Sequence, residues 1–226
     1  MLAVPWRGGD ILLGIGLFFS LLLAIVGASY VVLTVVGVPL GGGNGAMIVA
    51  LALVELALLF SAWFFSVRKY GCSYQELGFR PLQWARHMPI IAAALVGGLA
   101  INAGYLILIG QWGPKILQPP LPPPFLLESG LPLLFGSLTV TLLAPVSEEA
   151  FFRGFLFPGL VHRLGVWGAA LASALIFALG HLQWGVLIPI FFLGLILAWL
   201  YIKTGSLWSS ITVHFAYNFL ALVSIV

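Results

Sequence analysis

Long apolar runs separated by short polar punctuation organise this chain. The runs cover residues 11–36, 47–67, 88–110, 131–162, 168–181, 186–202 and 207–226. A helix needs about 20 apolar residues to cross the hydrocarbon of a bilayer, so each run reads as a membrane span. Residues 1–10 form an interfacial lead with Trp6 and Arg7, and Pro39 with Gly41–Gly45 predicts a tight turn after the first span. Pro145 falls inside the fourth run. A proline removes a helical donor and strikes the preceding turn, so it is expected to kink or restart the helix there. The pattern gives seven spans, or eight if Pro145 splits the fourth.

The connections have distinct characters. Residues 68–87 carry Arg68, Lys69, Arg80 and Arg86 among Tyr and Trp side chains. The excess of basic residues marks a cytoplasmic loop, and 73–80 reads as a short amphipathic interfacial helix closed by Gly78. Arg7, Arg163 and Lys203 alternate onto the same side, which puts the N-terminus in the cytoplasm. Residues 111–130 contain a proline cluster between Pro119 and Pro124 and predict an extended polyproline stretch on the opposite side. Small residues in the third span, among them Ala92, Gly97 and Gly98, suit close helix packing.

Composition sharpens this into an all-α, polytopic transmembrane bundle. The 226 residues are 62% hydrophobic and only 7% charged, with mean hydropathy +1.17. A soluble domain carries about a quarter charged residues. The net charge of +3 sits in loops, so it encodes topology and excludes a nucleic-acid partner. Cys72 is the single cysteine, which excludes an internal disulfide and a multi-cysteine metal site. The first run is too long for the core of a cleaved signal and opens a series of similar runs. With no internal repeat, 1–226 reads as one transmembrane domain.

Against that background a few polar residues stand out. Glu148 and Glu149 lie side by side with Arg153 about one turn later. Ionisable groups at bilayer depth are costly and mark function by default. His181 ends the next span, while His214 and Asn218 lie four apart on one face of the last. Glu55 is a further intramembrane acid without an obvious partner. Counting residues from the connecting turns puts Glu148 and His181 at one depth and Asn218 within about a turn of it. His214 falls about 10 Å short at 1.5 Å per residue.

Two mechanisms fit these parts. Glu148 can deprotonate a water while His181, His214 and Asn218 donate to a developing oxyanion. Alternatively His181, His214 and a glutamate can hold Zn²⁺, which activates the water. The first, requiring no cofactor, is preferred, because HExxH spacing is absent and Asn is a poor zinc ligand. A non-enzymatic membrane scaffold or immunity protein, or a small proton-coupled transporter using Glu55, Glu148 and Glu149, are the alternatives. The absence of repeats counts against transport.

The motifs Glu148-Glu149-Ala150-Phe151-Phe152-Arg153, Phe177 to His181 and His214 to Asn218 resemble the EExxxR, FxxxH and HxxxN series of the CPBP intramembrane proteases. This group is also called the Abi or CAAX protease family. Phrases such as RGFLFPGLVHRLG are similar to its bacterial branch. The resemblance covers 131–226, which would be the catalytic core. It implies an integral-membrane endopeptidase, with a metallo-endopeptidase as the alternative, in a bacterial cytoplasmic membrane, acting on a peptide or lipidated protein substrate. Glu148 would match the water-activating glutamate, Glu149 and Arg153 its supporting pair, and His181, His214 and Asn218 the rest of the site.

Overall fold

The computed structural model describes residues 4–37 and 44–225, and is helical with no strand among them. The helices are α1 (Gly8–Val36), α2 (Asn44–Trp63), α3 (Tyr74–Leu77), α4 (Trp84–Trp112), α5 (Leu131–Leu138), α6 (Ala144–Glu149), α7 (Phe157–Gly180), α8 (Trp184–Thr204) and α9 (Leu207–Val223). Among the described residues, five continuous helical stretches are long and apolar enough to cross a membrane: Gly8–Val36, Asn44–Arg68, Trp84–Trp112, Leu131–Gly180 and Trp184–Thr204. The chain is an integral membrane protein.

The longest of these stretches holds two crossings. Gly165 has φ 67° and ψ 174°, a conformation open to glycine and strained for other residues. The chain folds back there, and Ser173 Oγ donates to the Phe152 carbonyl at 3.0 Å across the two limbs. With α9 as the last crossing, the helices give the seven spans expected from hydropathy.

Pro145 does not break its helix. Leu143 and Ala144 keep right-handed helical angles on either side of the junction. The turn before the proline, Thr139–Leu143, is π-helical. Its wider i→i+5 geometry accommodates a ring that an α-turn would strike. A second π turn, Ala150–Leu156, follows α6, so the acidic pair lies between two π turns. The glycine turn after α1 lies partly outside the described residues, and Asn44 and Gly45, expected in it, are instead the first residues of α2.

The largest apolar cluster wraps the second π turn. Trp6, Leu58, Leu77, Phe151, Phe152, Phe155, Leu156 and Phe177 meet there. Trp6 Nε1 donates to the Phe155 carbonyl at 2.9 Å. α3 forms as expected, with a reciprocal cap in which the Ser73 N–H donates to Glu76 Oε2 at 2.7 Å and the Glu76 N–H to Ser73 Oγ at 3.3 Å. It docks on the π turn at Gly154, where a Cβ would come within 2.6 Å of the Leu77 carbonyl oxygen. The following loop is tied to the α8–α9 turn, since Gly78 O accepts from Leu207 N at 2.9 Å and Arg80 O from Ser206 Oγ at 2.6 Å.

Both ends of the bundle match the loop reading. Asp10 accepts from Arg7 N at 2.9 Å, from Tyr70 OH at 2.8 Å and from Lys69 Nζ, and the Arg163 guanidinium lies over Gly8. The basic residues therefore gather at one end. The proline loop has extended backbone at Gln118 and Pro123 between two short 3₁₀ turns. Tyr105 OH anchors it through the Leu117 carbonyl at 2.7 Å.

Candidate active site

Glu148 and Glu149 leave α6 in different directions, because neighbouring helical residues diverge by about 100°. Glu149 points into the protein. Its Oε1 accepts from Arg153 Nη1 at 2.7 Å, with both side chains fully inaccessible, and from His214 Nδ1 at 3.0 Å. The i,i+4 spacing brings Arg153 to it. Arg153 Nη2 donates to the Gly194 carbonyl at 3.0 Å, and its Cζ lies 4.5 Å from the Phe177 ring centroid. One guanidinium thus ties α6, α7 and α8 together.

Glu148 is the acid that reaches open space, with 15% of its side chain accessible. It lines a cavity of about 430 Å³ together with His181, His214 and Asn218. Its Oε2 lies 3.5 Å from His214 Nε2, longer than a good hydrogen bond. His214 therefore bridges the two acids, one through each ring nitrogen. The residue count ranked His214 as the poorest fit in depth, yet it makes the closest contacts with the acidic pair. The count assumed α-helical rise throughout and turns at one level, whereas Ala150–Leu156 is π-helical.

His181 Nδ1 is 2.9 Å from the Phe177 carbonyl. That bond places a hydrogen on Nδ1 and leaves Nε2 of a neutral ring as an acceptor, so His181 can donate from Nε2 only as an imidazolium. The Phe177 ring stands edge-on to both His181 and His214, at 5.0 and 5.8 Å between centroids. Asn218 Nδ2 donates to Val140 O in the first π turn at 3.0 Å, which leaves one amide N–H free.

Three cavity residues carry polar groups that sequence reasoning did not place in the site: Glu55 of α2, Asn102 of α4 and Tyr217 of α9. Glu55 Oε2 is 2.6 Å from Ser147 Oγ, the hydroxyl next to Glu148 in the chain. The available signal for Glu55 and Asn102 was their polarity within apolar spans. Among the described residues no group of three His, Cys, Asp or Glu side chains is placed to hold a metal ion. Both Nδ1 atoms are engaged, by the Phe177 carbonyl and by Glu149, which leaves the Nε2 atom of each ring as its open nitrogen.

Residues 130–220 match the family model described as type II CAAX prenyl endopeptidase Rce1-like. This segment is similar to that family. It includes all three motifs from Glu148 to Asn218 and excludes Glu55 and Asn102, so the resemblance read from the motifs holds over it. The chain is similar to the UPF0177 protein YxdF of Lactococcus lactis subsp. lactis (strain IL1403), with 32% identity over 90 residues, 39% of this chain and 49% of that protein. It is also similar to an uncharacterized 24.3 kDa protein of Escherichia coli, with 26% identity over 144 residues, 58% of this chain and 66% of that one. The matches thus span about half and just under two thirds of these relatives. No solved structure matches the chain.

Proposed function

We propose that the chain is an intramembrane endopeptidase that hydrolyses a peptide bond in a membrane-associated or lipid-modified, CAAX-like substrate through water activated by Glu148. The observation that carries this reading is the single cavity holding Glu148, His181, His214 and Asn218. Those residues come from α6, from the end of α7 and from α9, and the cavity volume suits a short peptide segment. Glu148 is the general base. The His214 ring, held by Glu149 at Nδ1, orients it from the other side. Asn218, through its free amide hydrogen, and His181, when protonated, stabilise the oxyanion. Glu149 and Arg153 fix His214 and the helices around it. The unit at work is the whole chain, with 131–226 as its core. The Rce1-like match and the basic end of the bundle support a place in a bacterial cytoplasmic membrane with that end inside.

The test is Glu148→Ala in reconstituted vesicles with an internally quenched peptide library. Loss of a positioned general base lowers the rate by about 10²- to 10⁴-fold. Unchanged cleavage would remove Glu148 from this role, and a parent protein that cleaves nothing would favour a non-enzymatic binding or immunity function. Activity is expected to survive chelators. Loss restored by zinc would replace this mechanism with a metal-dependent one.

A further inference from the structure

The cavity contains a carboxyl group that this mechanism leaves unused. Glu55 comes from α2, outside the Rce1-like segment, and is only 6% exposed. It shares the cavity with Glu148. We propose that Glu55 is the general acid of the site, delivering a proton to the leaving amine as Glu148 takes one from water. This inference rests on the hydrolase reading above.

The local charge balance supports it. One guanidinium and one imidazole face the three carboxyl groups. Arg153 pairs with Glu149, and His214 lies between Glu149 and Glu148. Glu55 makes no ion pair among the described residues, and its hydrogen-bond partner is the Ser147 hydroxyl. An unpaired carboxylate in a membrane interior is strongly unfavourable, so Glu55 is the acid with no cation beside it to hold its charge. Ser147 points the same way. Its single hydroxyl hydrogen faces Leu143 O at 2.8 Å and Ala144 O at 3.2 Å as well as Glu55 at 2.6 Å. When that hydrogen serves a helix carbonyl, the 2.6 Å contact is made by a Glu55 O–H donating to Ser147.

The titratable groups lining the cavity with Glu55 are Glu148, His181, His214 and Tyr217, with Glu149 and Arg153 paired behind them. From α1, which packs on α2, the charged side chain is Asp10, engaged by Lys69 and Tyr70. α5 and its π turn bring none.

The step balances. Glu148 accepts a proton as the water oxygen bonds to the carbonyl carbon. The tetrahedral intermediate then re-forms its C=O bond as the C–N bond breaks, its electron pair leaving on nitrogen. That nitrogen takes the proton from Glu55. The products are a carboxylic acid and a neutral amine, and transfer of the proton from Glu148 to Glu55 restores the starting state.

The test compares the parent, Glu55→Gln and Glu148→Gln in phosphatidylethanolamine–phosphatidylglycerol vesicles. The probes are an internally quenched peptide and its congener with an ester at the scissile bond. An alkoxide leaves with little help from an acid, whereas an amine needs its proton. Glu55→Gln is expected to cleave the amide about 10²-fold more slowly or worse while keeping the ester rate within about 10-fold of the parent. It also loses the alkaline limb of the amide pH–rate profile. Glu148→Gln loses both substrates. A parental amide rate in Glu55→Gln, or equal losses on amide and ester, overturns the assignment. Should Glu55→Gln fail to fold, Glu55→Asp carries the same comparison, with a larger loss on the amide expected and equal losses refuting it. A parent that cleaves neither probe and is indistinguishable from Glu148→Gln overturns the hydrolase reading and this inference with it.

Discussion

Replacing Arg153 with methionine isolates the energetics of the buried pair. Methionine keeps most of the apolar volume and removes the charge. Arg153 and Glu149 are both fully inaccessible, so the variant leaves a buried carboxylate short of its main partner. Breaking such a pair from one side costs about 3–5 kcal/mol. Gly194 O loses the Nη2 donor, but it lies inside α8 and the helix ladder still serves it. His214 continues to donate to Glu149 and offsets part of the lost charge, which places the expected loss near about 3 kcal/mol. The assay is reversible unfolding in mixed micelles titrated with dodecyl sulfate, read by tryptophan fluorescence. The double variant Glu149→Gln, Arg153→Met removes both charges and is expected to recover at least half of the loss, since a neutral replacement of a buried pair is often nearly free. A single variant within about 1 kcal/mol of the parent, the worth of an exposed pair, would refute the reasoning.

Two further outcomes follow from the helix around the acidic pair and the loop docked on it. Trp6→Phe keeps an aromatic ring but removes the indole donor to Phe155 O, a hydrogen bond that ties the N-terminal lead to the helix after the acidic pair. A loss of about 0.5–1.5 kcal/mol is expected in the same micelle titration, and an unchanged midpoint would show that this hydrogen bond contributes nothing to stability. The Ser73 backbone N–H, and then its hydroxyl, hold Glu76 below the usual glutamate range. Because the folded value lies below the unfolded one, the α3 cap is at full strength above about pH 4.3 and is lost as pH falls through the lower, folded value. Amide exchange at 73–78 should accelerate on acidification, and Glu76→Gln should remove that dependence.

The spans were legible because a bilayer demands an uninterrupted apolar length, and the 11–36 and 88–110 runs show it without ambiguity. The acidic pair was legible for the opposite reason, as charge where charge is costly. Helix geometry was less so. Pro145 reads as a breaker from its chemistry alone, and only the π turn at Thr139–Leu143, which has no composition signal, shows why it is tolerated. The order of His214 and Asn218 also came out reversed, since counting residues assumes that the connecting turns lie at one level and that the helices run parallel. Glu55 was visible as a polar anomaly in α2, but contact with Ser147 across 92 residues of chain is set by how two helices face each other.

The two π turns also fix the angular phase of the site. A π turn carries one residue more than the α turn it replaces, which rotates everything beyond it by about 100° around the helix axis. Were that turn to relax to α with all its residues kept, the segment before it would swing by the same angle and carry Glu148 away from the cavity. Loss of one residue together with relaxation to α would leave the faces on either side in phase. The extra residue in this stretch therefore sets a direction: it aims Glu148 without any change in what Glu148 is.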